Sequence, residues 1–507
     1  MSGGLFGAMT GVLGASFSAP HLDYHALAPE IVLTAVALMV LLVDLFLDES
    51  RKFLVNTIAG LGIAATAIPL VTLGLAGDTR SMFNGAYVVD DFSLVLKGVF
   101  LIAGYLTLLM ASNYLQEGDY HQGEFAFLIV CSMLGMVVMA SARDLITIFV
   151  ALETLSLPAY LLAGWQKRTS KSNEASVKYY LLGVVASAVM LYGMSLVYGI
   201  TGETVLTRVS DKLATVQDGK GLAAVGIFLV IVGFAFKVSA VPFHQWAPDT
   251  YEGAPTPVTA FLSVASKAAG FVALMELVFV GFFPRSDVWT PIFWVLAALT
   301  MTVGNVLALR QTNIVRMLAY SSIAQAGFIL VPFAVAGERS SSALSAQQSV
   351  VTYLVIYTLM NLGAFTLVIA VARRTRSGEI SSYDGLFHYS PALAVAMTVF
   401  LFALAGIPPM GGWYAKFSVF KTALEAGGRW SVALAVVAAA NAVIGATYYL
   451  KVMRSMWMNP APAAGDKKID VPSSLKLAIA LCAVAVMAIG VLPGLVTRFA
   501  EIAHLAQ

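Results

Sequence analysis

The sequence predicts an all-α polytopic membrane protein of about fourteen transmembrane helices, two of them broken, arranged as two inverted five-helix repeats. Three observations predict it. The 507 residues are 59% hydrophobic and only 11% charged, with a mean hydropathy of +0.83. A soluble domain carries roughly 25% charged residues, so lipid is the expected solvent. At about 20 apolar residues per span, the chain has room for about a dozen or more crossings. Windows of about 19 residues then resolve separate apolar segments. Two of those segments are interrupted by proline and glycine at corresponding places in the two halves of the chain.

The segments run 27–47, 53–75, 92–114, 124–142, 144–164, 176–200, 222–243, 256–281, 288–308, 314–336, 348–372, 389–427, 430–455 and 474–497. The first three make an N-terminal unit (1–118), the next five a first repeat (119–283), and the five after those a second repeat (284–455). The last belongs to a C-terminal unit (456–507). Ala, Gly, Leu and Val dominate them, as close helix contact in lipid prefers. The polar connections are short apart from 201–220 and 456–473, so no soluble domain is expected. The N-terminal MSGGLFGAMTGVLGASFSAP has no basic stretch, which argues against a cleaved signal peptide. Lys and Arg divide roughly 13 to 9 between the two sets of connections. By the positive-inside rule both termini face away from the cytoplasm, and a bacterial plasma membrane is the expected location.

The first break lies in AFKVSAVPFHQWAPDTYEGAPTP, where Pro242 has no N–H to donate and its ring clashes with the Val238 carbonyl. The second lies in LFALAGIPPMGGWYAKFSVF, where Gly406, Pro408, Pro409, Gly411 and Gly412 preclude a continuous helix. Matched interruptions in two halves mark transporter-like repeats with a site at mid-membrane. Simple proline kinks, which are common in spanning helices, are the plainer alternative.

Several functions are excluded by composition. A net charge of +2 over the whole chain gives no footprint for nucleic acid. Cys131 and Cys482 stand alone in apolar stretches and read as inert thiols. They cannot supply the four ligands of an iron–sulfur cluster, and no haem-attachment, Walker A or dinucleotide-binding motif is present. No cofactor or metal is therefore expected on this chain, and any redox chemistry it serves belongs to a partner.

Most charged residues fall in connections, but Glu153, Lys178, Lys237, Lys267 and Lys416 fall inside apolar segments. A charge at the bilayer centre costs about 2.5–3.5 kcal/mol even on the mildest scale, and such residues usually pair, face the bundle interior and mark ion or proton paths. Snorkelling or a static ion pair is the plainer alternative, strongest for Lys178 near the start of its segment. Glu30, Lys97, Asp44, Glu276, Lys421, Glu425 and Lys451 lie nearer segment ends and read as interfacial. Lysine in water holds its proton to about pH 10.4, and full burial lowers that by about 3–5 pH units. A carboxylate about 4 Å away restores roughly 4 kcal/mol at an effective dielectric of 20. Moving Glu153 against Lys237 would thus switch that lysine between holding and releasing a proton. Hard cations want clustered oxygen ligands, so a list dominated by ammonium groups reads as a proton relay. His244, after Pro242, serves equally well as a relay group or as support for backbone freed at the break. Asp249 and Glu252 read as loop-fixing caps.

Four long motifs, RDLITIFVALETLSLPAYLLAGW, AFKVSAVPFHQWAPDTYEGAPTPVTAFLSVASKAAG, NIVRMLAYSSIAQAGFILV and LFALAGIPPMGGWYAKF, resemble the antiporter-like proton-channel subunits of respiratory complex I. The resemblance runs over nearly the whole chain and is strongest to the N-type branch. YEGAPTPVTAFLSVASK is of that type, Lys416 stands where the M-type has glutamate, and the chain stops without the L-type's long lateral helix.

The resemblance implies that Glu153 is the membrane glutamate of the fifth helix and Lys237 its partner on the broken seventh. It likewise implies that Lys178 is the lysine of the sixth, Lys267 of the eighth and Lys416 of the broken twelfth. It further implies a complex in which FMN and iron–sulfur clusters on partner subunits pass electrons from NADH to quinone. M-like and K-like neighbours, the lateral helix of an L-like subunit and the lipid bilayer would be the partners. A multi-subunit cation/proton antiporter subunit, or one from a membrane-bound hydrogenase, is the runner-up. A structural scaffold with static charge pairs is the third reading.

Overall fold

Each of the fourteen apolar segments becomes a helix or a pair of half-helices. The computed structural model describes residues 22–48, 51–117, 123–338, 340–461, 468–503 and 505. The reading of the first twenty residues lies outside the described residues. In chain order the elements are α1 (Ala28–Asp44), α2 (Phe53–Ala76), strands β1 (Arg80–Met82) and β2 (Tyr87–Val89), α3 (Asp91–Glu117), α4 (Gly123–Met139), α5 (Leu145–Ala163), α6 (Ser170–Thr201) and α7 (Leu206–Thr215). Then come α8 (Lys220–Lys237), α9 (Trp246–Gly253), α10 (Thr256–Gly281), α11 (Ser286–Leu309), α12 (Ile314–Ala336) and α13 (Ser340–Thr375). The chain finishes with α14 (Pro391–Ala405), α15 (Gly411–Ala426), α16 (Arg429–Met458), α17 (Ser473–Val491) and α18 (Gly494–Ile502). Among the described residues, eleven helices are long and apolar enough to cross a membrane, and α4 and α14 are shorter apolar helices.

Two elements lay below the resolution of hydropathy windows. β1 and β2 form an antiparallel hairpin pairing Arg80 with Val89 and Met82 with Tyr87. The polar connection 201–220 contains α7, whose Leu206, Val209 and Leu213 are buried on one face.

Helix α10 is wholly buried, with α12 and α13 nearly so, and these three form the centre of the bundle. By contrast α2 and α6 expose Leu61, Ile68, Val71, Val185 and Tyr192, the surface a bilayer would cover. Helix α10 is not regular: π turns at Leu262–Ser266 and Leu277–Gly281 bracket the stretch Lys267–Glu276. Such turns often accompany functional side chains, because they re-aim the residues beside them.

Corresponding devices recur in the two five-helix units. Asp144 caps α5 by accepting from the N–H groups of Ile146 and Thr147 at 2.9 and 3.0 Å. Asn313 caps α12 in the same way, from Val315 and Arg316 at 2.9 and 3.1 Å. Each cap also bridges to the chain leaving the following long helix, Asp144 to Val205 and Asn313 to Glu379. Both interrupted segments are broken as expected. Helix α8 ends at Lys237, Ser239 is left-handed at φ 60°, and the Val241–Pro242 peptide is cis. The freed backbone finds side chains: Val241 N–H donates to Thr300 Oγ1 at 2.9 Å, and Trp246 Nε1–H to the Phe236 carbonyl at 3.0 Å. Helix α14 ends before Gly406, left-handed at φ 84°, and the Pro408–Pro409 peptide is cis. There the chain crosses α17 so closely that a Cβ on Gly490 would lie 1.8 Å from the Pro409 carbonyl oxygen. Only glycine permits that crossing.

Candidate functional site

Lys237 closes the half-helix α8 and points its ammonium at α5 and α6. It donates to Ser156 Oγ at 2.8 Å and to the Tyr179 hydroxyl at 3.4 Å, fully inside the bundle. Stacking of Tyr179 on Trp246, with ring centroids 4.4 Å apart, fixes that phenol against the start of α9. The stem of Lys237 runs over Gly270 of α10, where a Cβ would sit 3.1 Å from its Cγ. Glu153 stands one turn before Ser156 on α5, but among the described residues no ion pair joins it to Lys237. Its carboxylate instead accepts from Ser187 of α6 at 2.5 Å. Glu153 and Ser156 therefore lie one turn apart on α5, and Ser156 rather than the carboxylate is the residue bonded to Lys237.

Lys267 lies on α10, one turn before Gly270. Its ammonium donates to Ser322 of α12 through both the side-chain Oγ (2.6 Å) and the carbonyl (3.0 Å). Tyr357 of α13 donates to the same Oγ at 2.8 Å, and Asn361 donates to Tyr357 and to Ser263 of α10 at 3.1 and 2.9 Å. A second set of polar groups follows one turn along each helix. Gln325 of α12 accepts from Tyr353 of α13 and donates to the Leu404 carbonyl at 2.9 Å and Tyr449 at 3.2 Å. Ser321 bonds Tyr449 at 2.5 Å.

Lys416 reaches that same carbonyl from the other side. It donates to the carbonyls of Leu404 and Ala405 at 3.1 and 2.8 Å, the C-terminal end of half-helix α14, and lies 5.0 Å from the centre of the Phe328 ring. Carbonyls at a helix C-terminus carry the negative end of its dipole, so they suit an ammonium. Gly406 makes the approach possible, since a Cβ there would fall 2.7 Å from Lys416 Cδ. The structure thus brings Lys237, Lys267 and Lys416 into one buried polar row through α10, α12 and α13. Sequence reasoning missed the connecting groups, Ser156, Ser322, Gln325, Tyr353, Tyr357 and Asn361. Their signal was present in the spacing of SSIAQ on α12 and in Tyr353, Tyr357 and Asn361 four residues apart on α13.

The remaining candidates sit outside this row. Lys178 is 42% exposed and pairs with Glu174 at 2.5 Å and Asp249 at 2.9 Å. Arg316 joins Asp249 and Glu252 at 2.9 and 3.0 Å, and Lys171 reaches Glu252 at 3.1 Å. Asp249 and Glu252 are thus not loop caps but the acidic half of an ion network at the bundle end, around a cavity of about 190 Å³. His244 is half-buried with Nδ1 unpartnered, and Pro242, Pro408 and Pro409 reach the surface.

One set of expected interfacial residues is corrected. Lys421 and Glu425 do pair across the surface at 3.8 Å, but Glu30, Lys97 and Glu276 are buried. Lys97 donates to Glu30 at 2.7 Å, and the Tyr87 hydroxyl donates to the same oxygen. Arg143 donates to Glu276 at 2.5 Å and to Asp90 at 2.9 Å. Nearness to a segment end did not mean nearness to water, because the β1–β2 hairpin and α7 roof over that end.

Among the described residues no cluster of three or more His, Cys, Asp or Glu side chains is arranged to hold a metal ion. What the row offers is three buried ammonium groups, each with its own hydroxyl, amide or carbonyl partners. The sequence model of the NADH:quinone oxidoreductase/Mrp antiporter transmembrane family matches residues 142–441, a stretch holding all five charged candidates. The NADH-quinone oxidoreductase subunit N of Trichlorobacter lovleyi is 39% identical over 95% of this chain and 96% of its own length. A chain of respiratory complex I from Thermus thermophilus with bound aureothin is 32% identical, with a TM-score of 0.76 over 93% of this chain and 98% of that one. A chain of the Mrp complex from Dietzia sp. has the same fold, with a TM-score of 0.81 over 95% of this chain and 97% of that one, at 21% identity. Match length and identity together decide the branch: the chain belongs to the antiporter-like membrane-subunit family of NADH:quinone oxidoreductase, as a member of its subunit N group.

Proposed function

We propose that this chain is the proton-translocating subunit N of an NADH:quinone oxidoreductase. It moves protons across the membrane while electrons pass from NADH to quinone on other subunits. The observation that carries this reading is the buried row, with three lysines each inside a polar cage and two of them beside a broken helix. Lys237 receives a proton, Lys267 passes it along the bundle centre, and Lys416 delivers it across the second half. The units 119–283 and 284–455 serve as the two half-channels.

Glu153 acts as the switch. Its carboxylate and Ser156 lie one turn apart on α5, so a small rotation of the Glu153 side chain from Ser187 toward Lys237 alters the charge beside that ammonium. Burial favours the neutral amine and a nearby carboxylate favours the ammonium. Lys178 and its ion network gather protons at the bundle surface. Pro242, Pro408 and Pro409 keep the half-helix ends open, and His244 supports the first break or relays through it.

FMN, iron–sulfur clusters and quinone are carried by partner subunits. M-like and K-like chains and the lateral helix of an L-like subunit are the expected neighbours in a bacterial plasma membrane, with both termini periplasmic. Purification of the tagged chain in mild detergent tests the reading. Inhibitor-sensitive NADH:quinone reductase activity and iron–sulfur signals should co-migrate with the tag. A complex lacking flavin and iron–sulfur centres but exchanging Na⁺ for protons in vesicles would instead establish the antiporter.

A further inference from the structure

The buried ion cluster under the hairpin is unbalanced. Among the described residues Glu30, Asp90 and Glu276 pair only with Lys97 and Arg143, so three carboxylates share two cations. Tyr87 is the other titratable group in contact, and it already donates to Glu30. On the neighbouring elements Arg208 of α7 pairs with Glu203, Arg80 of β1 pairs with Asp23, and Asp144 caps α5. None of them supplies the missing positive charge. A carboxylate left uncompensated in such a place costs several kcal/mol, and a proton removes that cost.

The geometry says which carboxylate takes it. Glu30 accepts from both Lys97 and Tyr87, whereas Glu276 has Arg143 alone, and Arg143 is divided between Glu276 and Asp90. Oε2 of both Glu30 and Glu276 has no hydrogen-bond partner, but Glu276 is wholly buried and has one donor on its other oxygen where Glu30 has two. Glu276 also shares α10 with Lys267, nine positions away, inside the stretch bracketed by the two π turns. At about 1.5 Å per residue the two lie roughly 13 Å apart along the helix.

We propose that the Glu30–Asp90–Lys97–Arg143–Glu276 cluster is a proton-binding site, holding one exchangeable proton on Glu276 and serving, beside the Lys416 route, as a second outlet from Lys267 at the hairpin end of the bundle. The transfer is a proton exchange alone: Lys267 gives up an N–H proton by way of intervening water, Glu276 becomes a neutral acid, and the proton leaves past the hairpin. The outlet role rests on the relay reading above; the bound proton does not.

Infrared difference spectroscopy of the intact complex, with pH raised from neutral to alkaline, reads the proton directly through the C=O stretch of a protonated carboxylic acid. The wild type should lose such a band on alkalinisation, and Glu276→Gln should lack it from the start. Asp90→Asn balances the charges without touching Glu276 and should also lack it at neutral pH, which keeps the test open if Glu276→Gln does not assemble. An unchanged band in an assembled variant overturns the site. In Glu276→Gln the number of protons pumped per electron should fall, and a wild-type ratio with the band gone overturns the outlet role. Failure of the relay reading looks different: a wild-type ratio in Lys237→Ala with the Glu276 band intact.

Discussion

Lys237 and Lys416 hold matching places beside the two broken helices, yet their cages differ in kind. Lys237 is bound by side chains, the hydroxyls of Ser156 and Tyr179, within reach of a carboxylate that is bonded elsewhere. Lys416 is bound by main-chain carbonyls at the end of α14, which cannot rotate away. A cage of rotatable hydroxyls can change the charge and solvation around its ammonium. A cage of helix-end carbonyls holds the ammonium in a fixed field. On the proposed relay the first half therefore switches and the second holds, although both show the same arrangement of cap, long helix and break.

The largest effect should come from removing the switched group. Lys237→Ala should lower pumping and coupled turnover together by about 10²-fold, the scale of losing one positioned proton-transfer group, with assembly preserved. Vesicle pH jumps beside NADH oxidation measure it, and a wild-type proton-to-electron ratio would take Lys237 off the path.

Removing one ligand is the next test. Ser156→Ala deletes a hydrogen bond to a charged group, worth about 1.5–3 kcal/mol, and so should slow turnover roughly 10-fold while Lys416 keeps its carbonyls. If the loss is independent of whether Glu153 is replaced by Gln, Ser156 and Glu153 do not compete for Lys237.

The smallest effects compare the two glycines under the lysine stems. Gly406→Ala puts a side chain at φ 84° and 2.7 Å from Lys416 Cδ, where left-handed backbone alone costs about 1–2 kcal/mol. Gly270→Ala meets Val238 Cγ1 at 3.0 Å and the Lys237 stem at 3.1 Å in ordinary helical conformation, with no left-handed backbone cost. Thermal melting of the complex should therefore drop further for Gly406→Ala. Equal shifts would show that the second cage is no more rigid than the first.

Hydropathy made the spans legible because each must bury about 20 residues of apolar side chain regardless of its neighbours. Prolines made the breaks legible because a missing N–H is a local fact. Charges in mid-segment named Glu153, Lys237, Lys267 and Lys416 for the same reason: a polar group in lipid is anomalous wherever its partner lies. Partnership was another matter. Lys237 rests on Ser156 rather than Glu153, Lys178 belongs to a surface network with Asp249 and Arg316, and Lys97 and Glu30 are buried under a hairpin that no apolar window reveals. Each of those pairings joins residues 67 to 81 positions apart along the chain. The sequence by itself determined which residues are costly to bury, because that cost belongs to the residue. Only the tertiary structure decided what compensates each one, because compensation depends on which helices meet.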